Sequence, residues 1–141
     1  MKRNLILIGT IILVCILSIF LSHRQATMLQ RRLEIRARHI LIKVDPTDPV
    51  KQAQALEKAK ELRERVLTGE DFAAVARLHS EDVMTAPLGG DLGFMDPDEL
   101  DKTFKEALLN LKRDEISDVV ETSYGYHIIQ VLDRRAPAKK R

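Results

Sequence analysis

The sequence contains no tryptophan and only six other aromatic residues, four Phe and two Tyr. Proteins that bind single-stranded nucleic acid usually stack bases on several aromatic side chains, so that class is disfavoured. A basic surplus is also missing from most of the chain. The formal net charge of +2 is contributed by Lys2 and Arg3, because residues 22–141 carry 21 basic and 21 acidic side chains. We therefore expect no nucleic-acid partner.

Cysteine is almost absent too, since Cys15 is the one cysteine of the 141-residue chain. The residues after it can form no disulfide among themselves. A fold without disulfides tolerates an oxidising compartment and does not depend on one. The length of the chain is sufficient for one modest hydrophobic core.

Residues 5–21 form an uncharged run in which 14 of 17 residues are hydrophobic. As a helix, this run would be about 25 Å long, against a hydrocarbon core of about 30 Å. Lys2 and Arg3 precede it, as in a signal sequence. We predict that residues 1–22 are an uncleaved signal anchor that spans the membrane. A removed signal peptide is the alternative, although no good cleavage site follows the run. Val14 disfavours a lipoprotein signal at Cys15, because a small residue is expected directly before the modified cysteine.

The orientation of this anchor is only weakly indicated, because basic residues flank the apolar run on both sides. A short basic N-terminus usually stays in the cytoplasm, so we expect a single-pass protein of the cytoplasmic membrane whose remainder faces the periplasm or the cell exterior. Residues 23–35 are predicted to be a tether, residues 36–133 a folded domain, and residues 134–141 a basic tail.

The pattern of residues 36–133 predicts an α+β fold whose helices cover an antiparallel sheet. Residues 36–44 alternate as a strand, and a helix is expected from Pro49, after the N-cap Asp48, to about Thr68. A second helix follows Asp71, and a glycine-rich loop occupies residues 80–93. The remaining predicted elements are a helix at about 101–109 and two strands at 116–121 and 126–133, joined by a turn.

His39 and His127 are the side chains best suited to acid, base or hydrogen-bond chemistry, because each lies within an otherwise apolar strand. A single such residue is more often a core histidine whose hydrogen bonds are satisfied. Two of them, with Asp82 and Thr122 nearby, favour a shared hydrogen-bonded cluster. Zinc binding is weakly indicated, since local ligand spacing is missing. A Ser-His-Asp hydrolase is disfavoured further, because no nucleophile elbow is present.

Seven short motifs in order resemble the parvulin-type peptidyl-prolyl cis-trans isomerases, and together they cover about residues 36–133. Each motif alone is weak, whereas seven at matching spacings are specific. The N-terminal segment is similar to that of the membrane-anchored bacterial extracytoplasmic folding factors of this family. The motifs are RHILI from Arg38, DFA from Asp71, SED from Ser80, GGDLG from Gly89, FKEA from Phe104, EIS from Glu115 and TSYGYHII from Thr122.

The resemblance implies a parvulin-like, four-stranded antiparallel sheet covered by helices, and it assigns roles to seven residues. Four match the family's polar catalytic positions: His39, Asp82, Thr122 and His127. Three match the positions that hold the proline ring: Leu92, Leu100 and Phe104. Asp101 stands where many members have Gln, which puts a substrate hydrogen bond there in doubt. The apolar positions also have a purely structural interpretation, since Leu92 and Phe104 would suit a hydrophobic core.

The function implied by the resemblance is acceleration of rotation about Xaa-Pro bonds in unfolded or secreted polypeptides, with no cofactor and no metal. The loop after the first strand contains Asp45 and Asp48 and is acidic, so selectivity for phosphorylated Ser/Thr-Pro is disfavoured. The alternative is a chaperone-like binding module in which the same cleft holds polypeptides without catalysis. The sequence carries no prediction of the oligomeric state.

Overall fold

The computed structural model describes residues 33–136. The predicted signal anchor, most of the tether and most of the basic tail lie outside this range. Within the described residues, no helix is both long and apolar enough to cross a membrane.

Four antiparallel strands form one sheet in the order β2-β1-β4-β3, and three α-helices cover it. This arrangement confirms the predicted α+β class. The strands are β1 (Glu34–Lys43), β2 (Asp91–Met95), β3 (Val120–Thr122) and β4 (Gly125–Arg135). The helices are α1 (Pro49–Leu67), α2 (Phe72–His79) and α3 (Lys102–Asn110), with 3-10 turns at Ala86–Leu88 and Pro97–Glu99.

Each helix begins at an aspartate that caps its first turn. Asp48 accepts hydrogen bonds from the backbone N–H groups of Val50 and Lys51, and Pro49 follows it at the start of α1. Asp71 caps α2 in the same way through Ala74, and Asp101 caps α3 through Thr103 and Phe104. A carboxylate at this position satisfies N–H groups that have no partner inside the helix, and it also faces the positive end of the helix dipole.

The two central strands place their side chains alternately on opposite faces, and each face has its own core. Helices α1 and α2 pack on the face that carries Ile40, Ile42 and Ile128. Helix α3 packs on the other face, where Phe104 and Leu108 contact residues that include Ile35, Ile129 and Val131. His39 and His127 lie on the α3 face, because each is one residue away from an isoleucine that points to the opposite side.

Strand β2 was missed by the sequence pattern, which assigned residues 80–93 to a loop. Its sequence, Asp-Leu-Gly-Phe-Met, has no β-branched residue, and Gly93 has a φ of 70°. The strand forms because β1 provides a pairing edge, and the register shifts between Ala37 and Arg38 to accommodate the irregular backbone. Tertiary pairing therefore overrides a poor local propensity.

The strand predicted at residues 116–121 is shorter in the structure, where β3 begins at Val120. Ser117 explains the difference. Its hydroxyl accepts the N–H of Ile129 at 2.9 Å, in the place of a backbone carbonyl. The Ser117 carbonyl instead accepts from Nε of Arg63 at 2.7 Å. The segment just before β3 contributes an isolated β-bridge, between Ile116 and Gln130.

The first and last described strands are neighbours at the centre of the sheet. Glu34 pairs with Arg135 in the register of β1 and β4, and their side chains form an ion pair at 2.8 Å. At the other end of the same ladder, Lys43 pairs with Gly125.

Candidate active site

A cleft of about 280 Å³ opens on the α3 face of the sheet. All seven residues singled out in the sequence line it: His39, Asp82, Leu92, Leu100, Phe104, Thr122 and His127. These residues come from all four strands or the loops beside them and from α3, so the cleft forms only when the whole domain folds. Leu41, Asp101 and Tyr124 complete the lining.

The two histidines meet because of the register of the central strands. His39 pairs with Ile129, so His127, two residues earlier in β4, is its diagonal neighbour on the same face. Their Nδ1 atoms are 3.1 Å apart and their rings are stacked, with centroids 5.3 Å apart. Both residues are buried, at 6% and 4% exposure.

Asp82 anchors the first histidine. One oxygen of its carboxylate lies 2.8 Å from Nε2 of His39 and accepts the hydroxyl of Thr85 at 2.6 Å. The other accepts the backbone N–H of Met84 at 3.1 Å. These hydrogen bonds lower the pKa of Asp82 against the opposing effect of burial, so the group is a carboxylate at neutral pH.

Thr122 anchors the second histidine from the opposite side. Its hydroxyl oxygen lies 2.8 Å from Nε2 of His127 and accepts the backbone N–H of Tyr124 at 3.1 Å. The short turn between β3 and β4 therefore holds the hydroxyl in place.

The hydrogen-bond partners determine the tautomer of each ring. Ionised Asp82 can only accept, so Nε2 of His39 donates to it and Nδ1 of His39 has a lone pair. That lone pair requires a proton on Nδ1 of His127, so Nε2 of His127 accepts from the Thr122 hydroxyl. Every hydrogen bond in the series from the Tyr124 N–H through Thr122, His127 and His39 to Asp82 then has one donor and one acceptor, with both rings neutral.

Burial keeps both rings neutral at physiological pH. Burial, and to a smaller extent proximity to His39, lower the pKa of His127 to about 4, while the charges of Asp101 and Asp82 oppose the shift. Burial also lowers the pKa of His39, and the hydrogen bond to Asp82 opposes this only in part. An imidazole in this state can both donate and accept a hydrogen bond.

The remaining wall is apolar. The Phe104 ring stands edge-on to both imidazoles, with its centroid 5.2 Å from that of His127 and 6.0 Å from that of His39. Leu92 from β2 and Leu100 from the turn before α3 pack against the same cluster and are partly buried. The result is a small apolar pocket with a row of hydrogen-bonding groups along one side, in which both imidazoles are neutral and Asp82 is a carboxylate.

Gly90 holds His39 in position from the adjacent edge. The Gly90 carbonyl accepts the N–H of His39 at 2.9 Å. Its φ is 79°, and a Cβ at this position would overlap the His39 carbonyl oxygen. Glycine is therefore required both by the backbone conformation and by the close approach of the two segments.

Sequence reasoning missed Thr85, whose hydroxyl lies 3.2 Å from Nε2 of His39 in addition to bonding Asp82. The signal available was its position three residues after Asp82, which is common for local turns and carries no functional information by itself. Tyr124, which is 68% exposed at the rim, was also not assigned to the site. Among the described residues, no group of three or more His, Cys, Asp or Glu is placed to hold a metal ion.

Comparison with known proteins gives consistent relatives. The family model of the PPIC-type PPIase domain matches residues 21–135. Chaperone SurA of Pectobacterium atrosepticum is 46% identical over 103 residues, which are 72% of this chain and 23% of the relative. Foldase protein PrsA of Geobacillus kaustophilus is 44% identical over 101 residues, which are 72% of this chain and 32% of the relative. The chain therefore spans about a quarter to a third of the length of these curated relatives.

Solved structures show the same fold. A PpiC-type peptidyl-prolyl cis-trans isomerase domain superposes with a TM-score of 0.71 at 25% identity, covering 77% of this chain and 97% of that one. The peptidylprolyl isomerase PrsA from Bacillus anthracis superposes with a TM-score of 0.65 at 30% identity, covering 77% of this chain and 45% of that one. The sheet and helices are those of the parvulin-like fold that the motifs predicted, and the chain belongs to the family of PPIC-type, or parvulin-type, peptidyl-prolyl isomerase domains.

Proposed function

We propose that this chain is a peptidyl-prolyl cis-trans isomerase that acts on unfolded or secreted polypeptides. The observation that carries the proposal is the position of a fully paired hydrogen-bond chain, with two neutral imidazoles at its centre, along one side of an apolar pocket. Both histidines, the aspartate and the threonine are held by strands or tight turns, so the polar groups are preorganised. Family membership supports the same activity.

Rotation about an Xaa-Pro bond requires no bond to be made or broken. The barrier of about 20 kcal/mol comes from the loss of amide resonance as the bond twists. An enzyme lowers this barrier by binding the twisted amide more tightly than either planar isomer. The chemistry therefore needs a grip on the proline ring, a dry environment and positioned hydrogen-bonding groups, rather than a nucleophile.

The apolar residues supply the first two requirements. Phe104, Leu92 and Leu100 hold the proline ring and withdraw the amide from water. Water that hydrogen-bonds to the carbonyl stabilises the planar, charge-separated amide, so its removal favours the twisted form. Because Phe104 also packs against both imidazoles, the ring and the carbonyl of the substrate are brought close to the polar groups together.

The polar residues act on the rotating amide and on each other. His39 and His127 contribute neutral imidazoles beside the carbonyl, and Thr122 fixes the His127 tautomer. Asp82 fixes the His39 tautomer and is not needed as a nucleophile. Neutral rings suit this role, since a charged imidazolium in the cleft would attract water back to the amide.

The proposed domain boundaries follow the sequence: an anchor at residues 1–22, a tether at 23–35, the isomerase domain at 36–133 and a tail at 134–141. With a basic N-terminus ahead of the apolar run, the anchor holds the domain on the outer face of the cytoplasmic membrane. There the clients are polypeptides that fold after export.

The test measures cis-trans exchange in a short Xaa-Pro peptide by NMR, with and without the full chain in a detergent with neutral headgroups. The uncatalysed exchange takes tens of seconds, so even modest catalysis broadens or exchanges the paired cis and trans signals. An unchanged exchange rate at protein concentrations that bind the peptide would refute the isomerase activity.

A second candidate function, chaperone-like binding without catalysis, is favoured by one surface observation. Four large apolar side chains stand two-thirds or more exposed on α2 and the loop that carries Asp82: Leu78, Val83, Met84 and Leu88. Such a surface suits a non-native polypeptide. If binding alone is the function, a Phe104→Ala, His127→Ala double variant suppresses client aggregation as well as the unaltered chain does.

A further inference from the structure

The charges that line the cleft are all of one sign. Asp82 and Asp101 are two of its ten lining residues, and none of the ten is a lysine or an arginine. His39 and His127 do not offset these charges, because burial lowers the pKa of both rings and leaves them neutral. An apolar pocket with a net negative rim remains.

Neither carboxylate is neutralised by a neighbour. In residues 33–136, Asp82 is bonded by His39, Thr85 and the N–H of Met84, none of which is a cation. Asp101 accepts only backbone N–H groups, from Thr103 and Phe104, and only through one of its two oxygens. Among the described residues, the second oxygen of Asp101 has no hydrogen-bond partner, and the side chain lines the cleft.

The position of Asp101 places its charge next to the residues proposed to hold the proline ring. It lies between Leu100 and α3, whose Phe104 N–H it caps, and both Leu100 and Phe104 line the same pocket. Its charge also acts on His127, where it opposes the lowering of the ring pKa. A substrate residue adjacent to a bound proline therefore passes close to this carboxylate.

We propose that Asp101 is a specificity-determining residue that makes this cleft select prolines flanked directly by lysine or arginine, and reject prolines flanked by acidic or phosphorylated residues. The inference rests on the proposed isomerase function and specifies its substrate class. Two carboxylates attract a cation and repel an anion, with the modest strength of partly solvent-exposed charges, because Asp101 is exposed and Asp82 is half-buried.

The experiment compares kcat/KM for NMR-detected exchange in two peptide sets, using the full chain in a detergent with neutral headgroups. One set has Lys, Gln or Glu directly before the proline, and the other has the same residues directly after it. We expect lysine to exceed glutamate by about three- to tenfold in at least one set, as partly exposed charge pairs typically allow. The preference should shrink between about 0.01 M and about 1 M salt, where the Debye length falls from about 30 to 3 Å.

Asp101→Asn is the informative variant, because asparagine caps a helix about as well as aspartate and therefore preserves α3. It should lower the lysine-to-glutamate ratio towards one, with Asp82 left as the remaining charge of the cleft. Glu61→Gln is the matched control: it removes the same charge from the exposed surface of α1, on the opposite face of the sheet, and should leave the ratio unchanged.

The outcomes separate the two proposals. Equal acceleration of all peptides, or a preference that Asp101→Asn or high salt leaves intact, overturns the specificity proposal while the isomerase function stands. If no peptide is accelerated, the isomerase function fails and the specificity proposal fails with it. A preference for glutamate would reverse the predicted sign and overturn the proposal directly.

Discussion

His39 and His127 face each other through their Nδ1 atoms, 3.1 Å apart, so one proton is shared between the two rings. Two protonated nitrogens at this distance would repel, and two bare ones would leave both lone pairs unsatisfied. Asp82 at one end and Thr122 at the other decide which ring donates. The pair is therefore a single hydrogen-bonding unit whose ends are fixed by different parts of the fold.

The first prediction concerns these tautomers. At neutral pH, His39 carries its proton on Nε2 and His127 carries its proton on Nδ1. Nitrogen-15 NMR of the imidazole side chains distinguishes the two forms directly. Thr122→Val removes the donor to Nε2 of His127 and should shift the signal of that nitrogen, while both rings keep their tautomers, because Asp82 still fixes His39 and His39 still accepts from Nδ1 of His127. The opposite assignment of the two rings would contradict the arrangement.

A second prediction concerns the apolar grip. Phe104→Ala removes the ring that touches both imidazoles and should lower kcat/KM for Xaa-Pro exchange by at least about tenfold, a loss of more than about 1.4 kcal/mol in transition-state stabilisation. Leu108→Ala is the control. It lies one turn later on α3 in the same core but does not line the cleft, so it should cost about 2–5 kcal/mol in the free energy of unfolding and spare the activity of the folded fraction.

If Phe104→Ala lowers activity only in proportion to the fraction that is unfolded, the ring has a purely structural role. Circular dichroism of both variants, measured under the conditions of the exchange experiment, gives the folded fraction needed for this comparison.

The third prediction is a loss of stability in mild acid. The pKa of His127 is lowered to about 4 in the folded protein, whereas an unfolded histidine titrates near 6.5. Between these values the unfolded chain binds a proton that the folded chain does not. The contribution of His127 to the free energy of unfolding is thus completely present above about pH 6.5. It is lost as the pH drops towards 4, by about 3 kcal/mol at most. His39, whose pKa is also lowered, adds to the loss in the same direction.

Urea denaturation at a series of pH values between 7 and 4.5 measures this slope. The lowered pKa of Asp82 acts at lower pH, because its stabilising effect is lost only below the ordinary range of an aspartate. His127→Gln should reduce the slope. An equal slope in the variant would assign the acid sensitivity to groups outside the cleft.

The fourth prediction separates two glycines that share a left-handed backbone. Gly90 and Gly93 have φ of 79° and 70°, so an alanine is strained at either position, by roughly 1 kcal/mol. At Gly93 an added Cβ meets nothing within 4 Å, whereas at Gly90 it overlaps the His39 carbonyl oxygen. Gly90→Ala should therefore destabilise the fold by several kcal/mol and weaken the hydrogen bond that positions His39, while Gly93→Ala should show only the backbone strain. Similar decreases in the melting temperature of the two variants would show that backbone conformation, and not the close approach of the two segments, determines the stability cost at both positions.

The sequence predicted the fold well where local signals agree with tertiary structure. The aspartates that precede the first two helices, Asp48 and Asp71, and the alternation of β1 are local signals, and so is the Pro49 start of α1. Strand β2 could not be found in this way, because Asp91–Met95 has a weak propensity and pairs only where β1 is available. The early end of the strand predicted at 116–121 depends on the Ser117 hydroxyl and on Arg63, 54 residues earlier in the chain.

The seven site residues were predicted by resemblance, and the structure places them in one cleft. Residue patterns alone suggested only the histidine cluster, since two polar rings in apolar strands need partners. Thr85 was missed because nothing in a threonine three residues after an aspartate shows that its hydroxyl faces the carboxylate. The negative rim was equally hidden, as it depends on the absence of a lysine or arginine from the lining of a folded cleft.

The pairing of Glu34 with Arg135 has an architectural consequence. The polypeptide enters and leaves the described domain side by side, so such a unit can be inserted into a longer host polypeptide without forcing the flanking parts of the host apart. From Glu34 to Leu41, opposite His127, the strand extends over roughly 20 Å at about 3.3 Å per residue, so a host would be attached well away from the cleft. This geometry fits a module that has been reused within much longer relatives, and it makes circular permutation at the adjacent ends a practical engineering route.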